Sequence, residues 1–306
     1  MQQRVFTFKA MATENEIQLC GDDANQVEEA ARRAIEEVAR IERKYSRYRD
    51  DSVITRINNA AGGDAIAVDE ETAALLQYAD ACYRQSGGLF DITSGVLRRA
   101  WDFRSPAPHL PEPEILASVL ALVGWDAVAW QDGYILLSKR GMQLDFGGIG
   151  KEYAADRAAA VCMEWGMAHG FINLGGDVRV IGPQASGSPW RIGIAHPRQP
   201  GRVIASIALS EGALASSGDY ERYFELNGKR YCHILNPKTG YPVVGSAQGV
   251  SVVAPLCIVA GGLCTLAMLM EGEAHSVLEE QGVPYLLIDE HGAASGSLAV
   301  DLSVAG

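Results

Sequence analysis

The chain has 306 residues, 48% of them apolar and 21% charged, an ordinary balance for a globular protein that buries a proper core. This excludes a disordered, fibrous or low-complexity chain. The formal net charge of −12 argues against a nucleic-acid binder, because phosphate backbones are held by basic surfaces. It also means that any anionic ligand must be met by locally gathered positive charge, helix N-termini or a metal.

From the N-terminus, Met1 to Ala12 contains no apolar signal core, no small-residue cleavage site and no lipobox cysteine, which predicts a cytoplasmic protein unless a leader was trimmed. The stretch 25–45 sets Val27, Ala31, Ala34, Val38 and Ile41 on one stripe behind Asp22 or Asp23 as a cap, and predicts a helix. A second helix is predicted over 68–85, with an acidic first turn and a stop at Gly87-Gly88. The stretch 106–113 is the most linker-like. Strands are predicted over 134–138, 142–146, 171–174, 190–195, 203–209 and 249–253, many joined by short turns such as Asn227-Gly228, which suits antiparallel hairpins. An Ala-rich helix is predicted over 151–166. The segment 247–270 carries no charged residue and is long enough for the roughly 20 residues that cross a bilayer. Its β-branched opening and its breaks at Pro255 and Gly261-Gly262 instead predict a buried strand followed by a buried helix, so no membrane span. The six cysteines form no CxxC pair, and several sit in apolar runs where a reduced, buried thiol is the usual state. These elements predict an α+β fold, an antiparallel β-sheet covered by helices, forming one unit over 1–306. No GxGxxG follows an early strand, which disfavours a doubly wound dinucleotide fold.

Chemistry-bearing residues concentrate in turns. Leu144-Asp-Phe-Gly-Gly-Ile-Gly-Lys151 leaves a strand through three glycines and enters a helix whose first turn carries Lys151. Such a turn lets backbone N–H groups and a lysine meet a phosphate; it equally suits a turn that needs glycine only for positive φ. In Phe171-Ile-Asn-Leu-Gly-Gly-Asp-Val178, Asp177 is placed either to reach a ribose or base or to satisfy turn amides. Ala215-Ser-Ser-Gly-Asp-Tyr220 offers hydroxyls and a carboxylate, Ser86-Gly-Gly-Leu-Phe-Asp-Ile-Thr93 an aromatic and a carboxylate, and His233-Ile-Leu-Asn-Pro-Lys-Thr-Gly240 an imidazole before a turn.

In this order the segments resemble the ApbE family, the FAD:protein FMN transferases. Met11-Ala-Thr13 is similar to its Met-Gly-Thr turn, and Tyr45-Ser-Arg-Tyr48 with Asp51-Ser52 and Asn58 to its SxY…DS…N segment. Gly88-Leu-Phe-Asp-Ile-Thr93 resembles GxFDxT, Trp101-Asp-Phe103 the aromatic pair after it, and the run from Asp145 to Asp156 DLGGIAKGYAVD. Asn173-Leu-Gly-Gly-Asp177, Ser217-Gly-Asp-Tyr220 and the run from His233 to Gly240 match the remaining signatures. The resemblance implies an ApbE-like, T-fold-like architecture with FAD contacts at Met11, Tyr48, Leu89, Phe90, Asp91, Asp145, Lys151 and Ile234. It implies transfer of the FMN half of FAD to a Thr or Ser hydroxyl of an acceptor flavoprotein bearing a D-x-x-[ST]-G-A-[ST]-like motif, with release of AMP and assistance from Mg²⁺. Lys151 would neutralise charge, and His233 stands as proton acceptor or as a structural histidine.

Two positions depart from the family pattern. Family members hold Mg²⁺ with an Asp and, one turn on, a Thr; Thr265 is present, but the aspartate position is Gly261, leaving Gly148 (through its carbonyl) and Thr265 as metal ligands. Three expectations follow. The phosphates, Thr265 and waters hold the metal; or Asp219 or Asp145 replaces the carboxylate; or the chain binds FAD without transferring FMN. FAD pyrophosphate hydrolysis is a further alternative. Lys151-Glu152 replaces the usual Lys-Gly and adds a negative charge, mild if Glu152 points outward.

Overall fold

The computed structural model describes residues 1–245 and 247–299. Its largest element is a sheet of eight strands: β1 (Gln2–Ala10), β2 (Thr13–Gly21), β3 (His169–Leu174), β4 (Asp177–Gly182), β5 (Gly212–Gly218), β6 (Gly249–Ala254), β7 (Tyr285–Ile288) and β8 (Ala294–Ser295). They lie side by side in chain order, each neighbouring pair antiparallel. An antiparallel sheet was expected, but of the predicted strands only 171–174 and 249–253 lie in this one; Asn227-Gly228 closes a separate two-stranded ribbon, Tyr223–Leu226 with Lys229–Cys232.

Strand alternation assigns the two faces. In β4, Val178 and Val180 pack with Trp190, Ile192 and Ile207 of the hairpin formed by Trp190–Ala195 and Val203–Leu209. The opposite face meets helices: α3 (Gly150–Glu164) packs on β3 and β4, and α4 (Cys257–Leu269) on β5 and β6. Helix α1 (Ala24–Tyr45) lies against α3 and the β1–β2 hairpin. Asp23 caps α1 by accepting from the N–H groups of Asn25 and Gln26, and the stripe Val27, Ala31, Ala34, Val38 and Ile41 is buried as its spacing predicted. Helix α2 (Glu70–Gln85) begins two residues later than predicted, because the Asp69 side chain caps it through Thr72 N–H.

A single carboxylate ties α3 to α4. Leu256 supplies no side-chain cap to α4. Instead Asp156, on α3, accepts from Cys257 N–H at 2.8 Å and Ile258 N–H at 2.9 Å, and pairs with Arg179 of β4 at 3.2 Å. This satisfies helix-terminal donors from a neighbouring element and fixes how the two helices slide past each other.

Three expectations need correction. The stretch 142–146 is not a strand; it runs extended beside Asn58, whose side chain donates to Leu144 C=O (3.0 Å) and accepts from Leu144 N–H (2.6 Å) in place of a neighbouring strand. Gly261-Gly262 does not break the helix after β6; α4 runs through both, and glycine there makes room for side chains from α2 and α3. Ser216 and Ser217 lie in β5 rather than in a turn. The predicted split of 247–270 into strand and helix is found as β6 and α4, and no helix among the described residues is long and apolar enough to cross a membrane. All six cysteines are free.

Candidate active site

The β1–β2 and β3–β4 turns sit side by side at one end of the sheet. Met11 and Ala12 form the first with φ of 52° and 61°, uncommon values for non-glycine residues, and Glu42 of α1 anchors it by accepting from Met11 N–H at 2.8 Å. Gly175, in the second, has φ 58°, and a Cβ there would come within 2.7 Å of Thr13 Oγ1, so only glycine fits.

These turns open onto a cleft of about 470 Å³. Met11, Tyr48, Leu89, Phe90, Asp91, Asp145, Gly148, Lys151, His233, Ile234 and Thr265 all line it, although they come from segments spread over most of the chain. A more open depression of about 620 Å³, around Asp80, Arg84, Trp125 and Trp130, includes none of them.

Five cations gather at the cleft, Arg47, Arg98, Arg104, Lys151 and Arg222, beside five carboxylates, Glu42, Asp91, Asp145, Glu152 and Glu221. Apart from Lys151 these cations were not singled out in the sequence, because they come from separate segments and only folding gathers them. Arg47 pairs with Asp145 at 3.0 Å, and its guanidinium lies 4.9 Å from the ring centre of Tyr48. Tyr48 is 72% exposed; burial of its hydroxyl opposes the shift, but the hydrogen bond from Arg47 and the cations nearby hold the phenol below its ordinary pKa.

Asp91 lines the cleft with both oxygens committed: one accepts from Thr93 N–H and Oγ1, the other from Trp125 N–H. Its carboxylate braces the turn that presents Leu89 and Phe90. Lys151 pairs with the almost fully buried Asp177 at 2.8 Å. Burial lowers the Lys151 pKa, yet the charges of Asp177 and Glu152 outweigh it and keep the ammonium well above its ordinary value. Asp177 thus serves the lysine and Ser216 N–H, a partnership that neither reading of its turn foresaw.

Gly147, Gly148 and Gly150 all have negative φ, so positive φ is not what the phosphate-like turn requires of them. A Cβ on Gly148 would meet nothing closer than the Phe90 ring at 3.6 Å; its glycine leaves the cleft wall bare, as close approach of a ligand to backbone needs.

His233 lines the cleft together with Arg98, Arg222 and Lys151. Burial first, then those positive charges, push its pKa down to about 4. The imidazole is therefore neutral near pH 7, and its buried Nδ1 has no hydrogen-bond partner.

Both candidates for a replacement carboxylate are already engaged. Asp219 is gripped by Arg198 through two contacts at 2.6 and 2.7 Å, with Arg230 at 3.7 Å, and does not line the cleft. Asp145 is held by Arg47 and accepts from Gly147 N–H at 2.9 Å. Glu152 does not point outward; it is 8% exposed and lines the cleft.

Comparison with known proteins bears on this geometry. Residues 11–287 match the sequence model of the ApbE family. The FAD:protein FMN transferase of Haemophilus influenzae is 34% identical over 256 residues, covering 80% of this chain and 74% of that protein. That of Salmonella typhimurium is 29% identical over 298 residues, covering 94% and 85%. Among solved structures, the ApbE protein of Thermotoga maritima superposes with a TM-score of 0.89 at 34% identity, over 98% of this chain and 99% of that one. The flavin transferase ApbE from Vibrio cholerae gives 0.84 at 26% identity, over 97% and 98%. The chain belongs to the ApbE family.

Proposed function

We propose that this chain is an FAD:protein FMN transferase, built as one unit, that holds FAD in the cleft beside the β1–β2 and β3–β4 turns. The observation that carries the reading is convergence: eleven residues singled out from separate motifs line one cleft, in a chain whose relatives bear that name. Tyr48 offers an exposed ring at the mouth for a flavin or adenine face, and Met11, Leu89, Phe90 and Ile234 offer apolar contact. Lys151 and the bare glycine turn meet the pyrophosphate.

In the reaction a Thr or Ser hydroxyl of an acceptor flavoprotein attacks the phosphorus on the FMN side. The new P–O bond forms as the bond to the AMP oxygen breaks, and the hydroxyl proton is taken up. His233, neutral and with an unpartnered nitrogen, is the group assigned to receive it. Positioning and charge neutralisation supply most of such a transfer. Mg²⁺, when bound, would neutralise charge on the pyrophosphate and on the departing AMP; the Gly148 carbonyl and Thr265 hydroxyl are the donors this reading assigns to it. The acceptor is expected to carry a D-x-x-[ST]-G-A-[ST]-like motif.

Gly261, with no carboxylate to offer, favours one alternative, a family member that holds FAD without transferring FMN. Co-expression with an acceptor domain separates the two. The transferase reading expects an FMN phosphoester in the intact mass of the acceptor, lost when the acceptor Thr or Ser is replaced by Ala. An unmodified acceptor with FAD and Mg²⁺ in excess would refute it.

A further inference from the structure

Asp156 sets the register between α3 and α4, and that register brings two residues together. Side chains four apart stack on one face of a helix. One turn back from Asp156 along α3 is Glu152. One turn on from Cys257 along α4 is Gly261, and one turn further is Thr265. A Cβ built on Gly261 would lie 2.5 Å from Glu152 Cγ and 3.0 Å from both Cδ and Oε1. The Glu152 carboxylate therefore fills the volume that a side chain at position 261 would occupy. Glycine is a poor helix former compared with Ala; here the vacated space is what admits the glutamate.

The carboxylate is short of a partner. Glu152 is 8% exposed, and its Oε2 is buried with no hydrogen bond. The cation next to it in the chain, Lys151, directs its amine to Asp177 instead. A buried carboxylate oxygen left unpaired is costly, and this one belongs to a side chain that lines the cleft together with Thr265 and Gly148. No group of three or more His, Cys, Asp and Glu side chains forms a metal cluster among the described residues. The donors here are a mixed hard-oxygen set of carboxylate, hydroxyl and backbone carbonyl, the kind that suits Mg²⁺ or Mn²⁺ and leaves positions for phosphate oxygens and water.

We propose that Glu152 is the carboxylate ligand of a divalent cation in this cleft, delivered from α3 into the place where an acidic side chain was expected on α4. The Gly261 departure and the Lys151-Glu152 departure are then one change: the carboxylate has moved across the helix pair. The proposal rests on the FAD reading only for the phosphate oxygens that complete the cation's shell.

The test is Mn²⁺ titration followed by the EPR signal of the free ion, with FAD present, on the wild type, Glu152→Gln and the exchange variant Glu152→Gly/Gly261→Asp. FAD affinity without metal, read from flavin fluorescence, is measured on the same samples. Glu152→Gln is expected to weaken Mn²⁺ at least tenfold while FAD affinity without metal stays within threefold. The exchange variant, which keeps one carboxylate in the same volume, is expected to recover Mn²⁺ affinity to within threefold of wild type. Gly261→Asp alone crowds Glu152, and its thermal midpoint should fall below those of wild type and the exchange variant. Mn²⁺ affinity unchanged in Glu152→Gln, an exchange variant no better than Glu152→Gln, or a wild type that binds FAD but no Mn²⁺ would each overturn the proposal. Absence of FAD binding in a folded wild type that still takes up Mn²⁺ would sink the flavin reading and leave the ligand assignment standing.

Discussion

Replacing Asp156 with Ala should destabilise the protein by about 3 kcal/mol. The carboxylate accepts from Cys257 and Ile258 N–H and faces Arg179, with Asp156 and Arg179 both mostly buried. Burial raises the Asp156 pKa despite these partners, so the charge itself is not held at a gain. The cost of removal falls on what it leaves behind: two uncapped helix donors, typically worth about 1 kcal/mol per cap, and an arginine without its carboxylate, in a class of change that costs about 3–5 kcal/mol when the pair is fully buried. Arg179 also donates to Val180 and Gly212 C=O, which moderates its share. Asp156→Asn keeps an acceptor for one N–H and should lose about half as much. Urea unfolding curves for wild type and both variants measure this. Because the same carboxylate sets the α3–α4 register, Asp156→Ala should also weaken Mn²⁺ binding without touching the site. An Asp156→Ala protein within 0.5 kcal/mol of wild type, taking this as about the scale of a neutral surface substitution, would refute the argument.

Three further outcomes follow from the site. His233 has a folded pKa of about 4 against an ordinary 6.5, so the folded state resists protonation. Stability should fall as pH drops through this window, by about 3 kcal/mol at 1.36 kcal/mol per unit, and urea midpoints at pH 7 and 4.5 should show a smaller drop for His233→Gln. Lys151→Met leaves Asp177 buried without its cation and should cost about 3 kcal/mol as well as flavin affinity, seen in parallel unfolding and fluorescence titrations; unchanged stability would mean that the ion pair matters little. Gly148→Ala has room for its methyl against Phe90, so stability should stay within about 1 kcal/mol while FAD affinity falls at least fivefold, and equal affinity would remove the glycine turn from the binding surface.

Much of the helical framework was legible because amphipathic stripes and caps are local: the α1 stripe read directly from the chain, and its cap was narrowed to Asp22 or Asp23, of which Asp23 serves. The β1–β2 hairpin was not. Most β1 side chains are exposed or half-exposed, so alternation is faint, and its turn uses Met11-Ala12 at positive φ where glycine or asparagine would have flagged it. The stretch 142–146 has the composition of a strand but is satisfied by the Asn58 side chain, a partner 86 positions away that no window reveals. At the site, the motif residues were found from their order along the chain. Arg98, Arg222 and the inward turn of Glu152 were not, since each depends on a neighbour from another element: for Glu152, on a missing side chain at Gly261.

The most direct test of the account uses purified components: this chain, FAD, Mg²⁺ and an acceptor flavoprotein, with AMP release and acceptor mass followed together. One FMN attached to the acceptor is expected for each AMP released. AMP and free FMN with an unmodified acceptor would contradict it, since water rather than a protein hydroxyl would then be the acceptor.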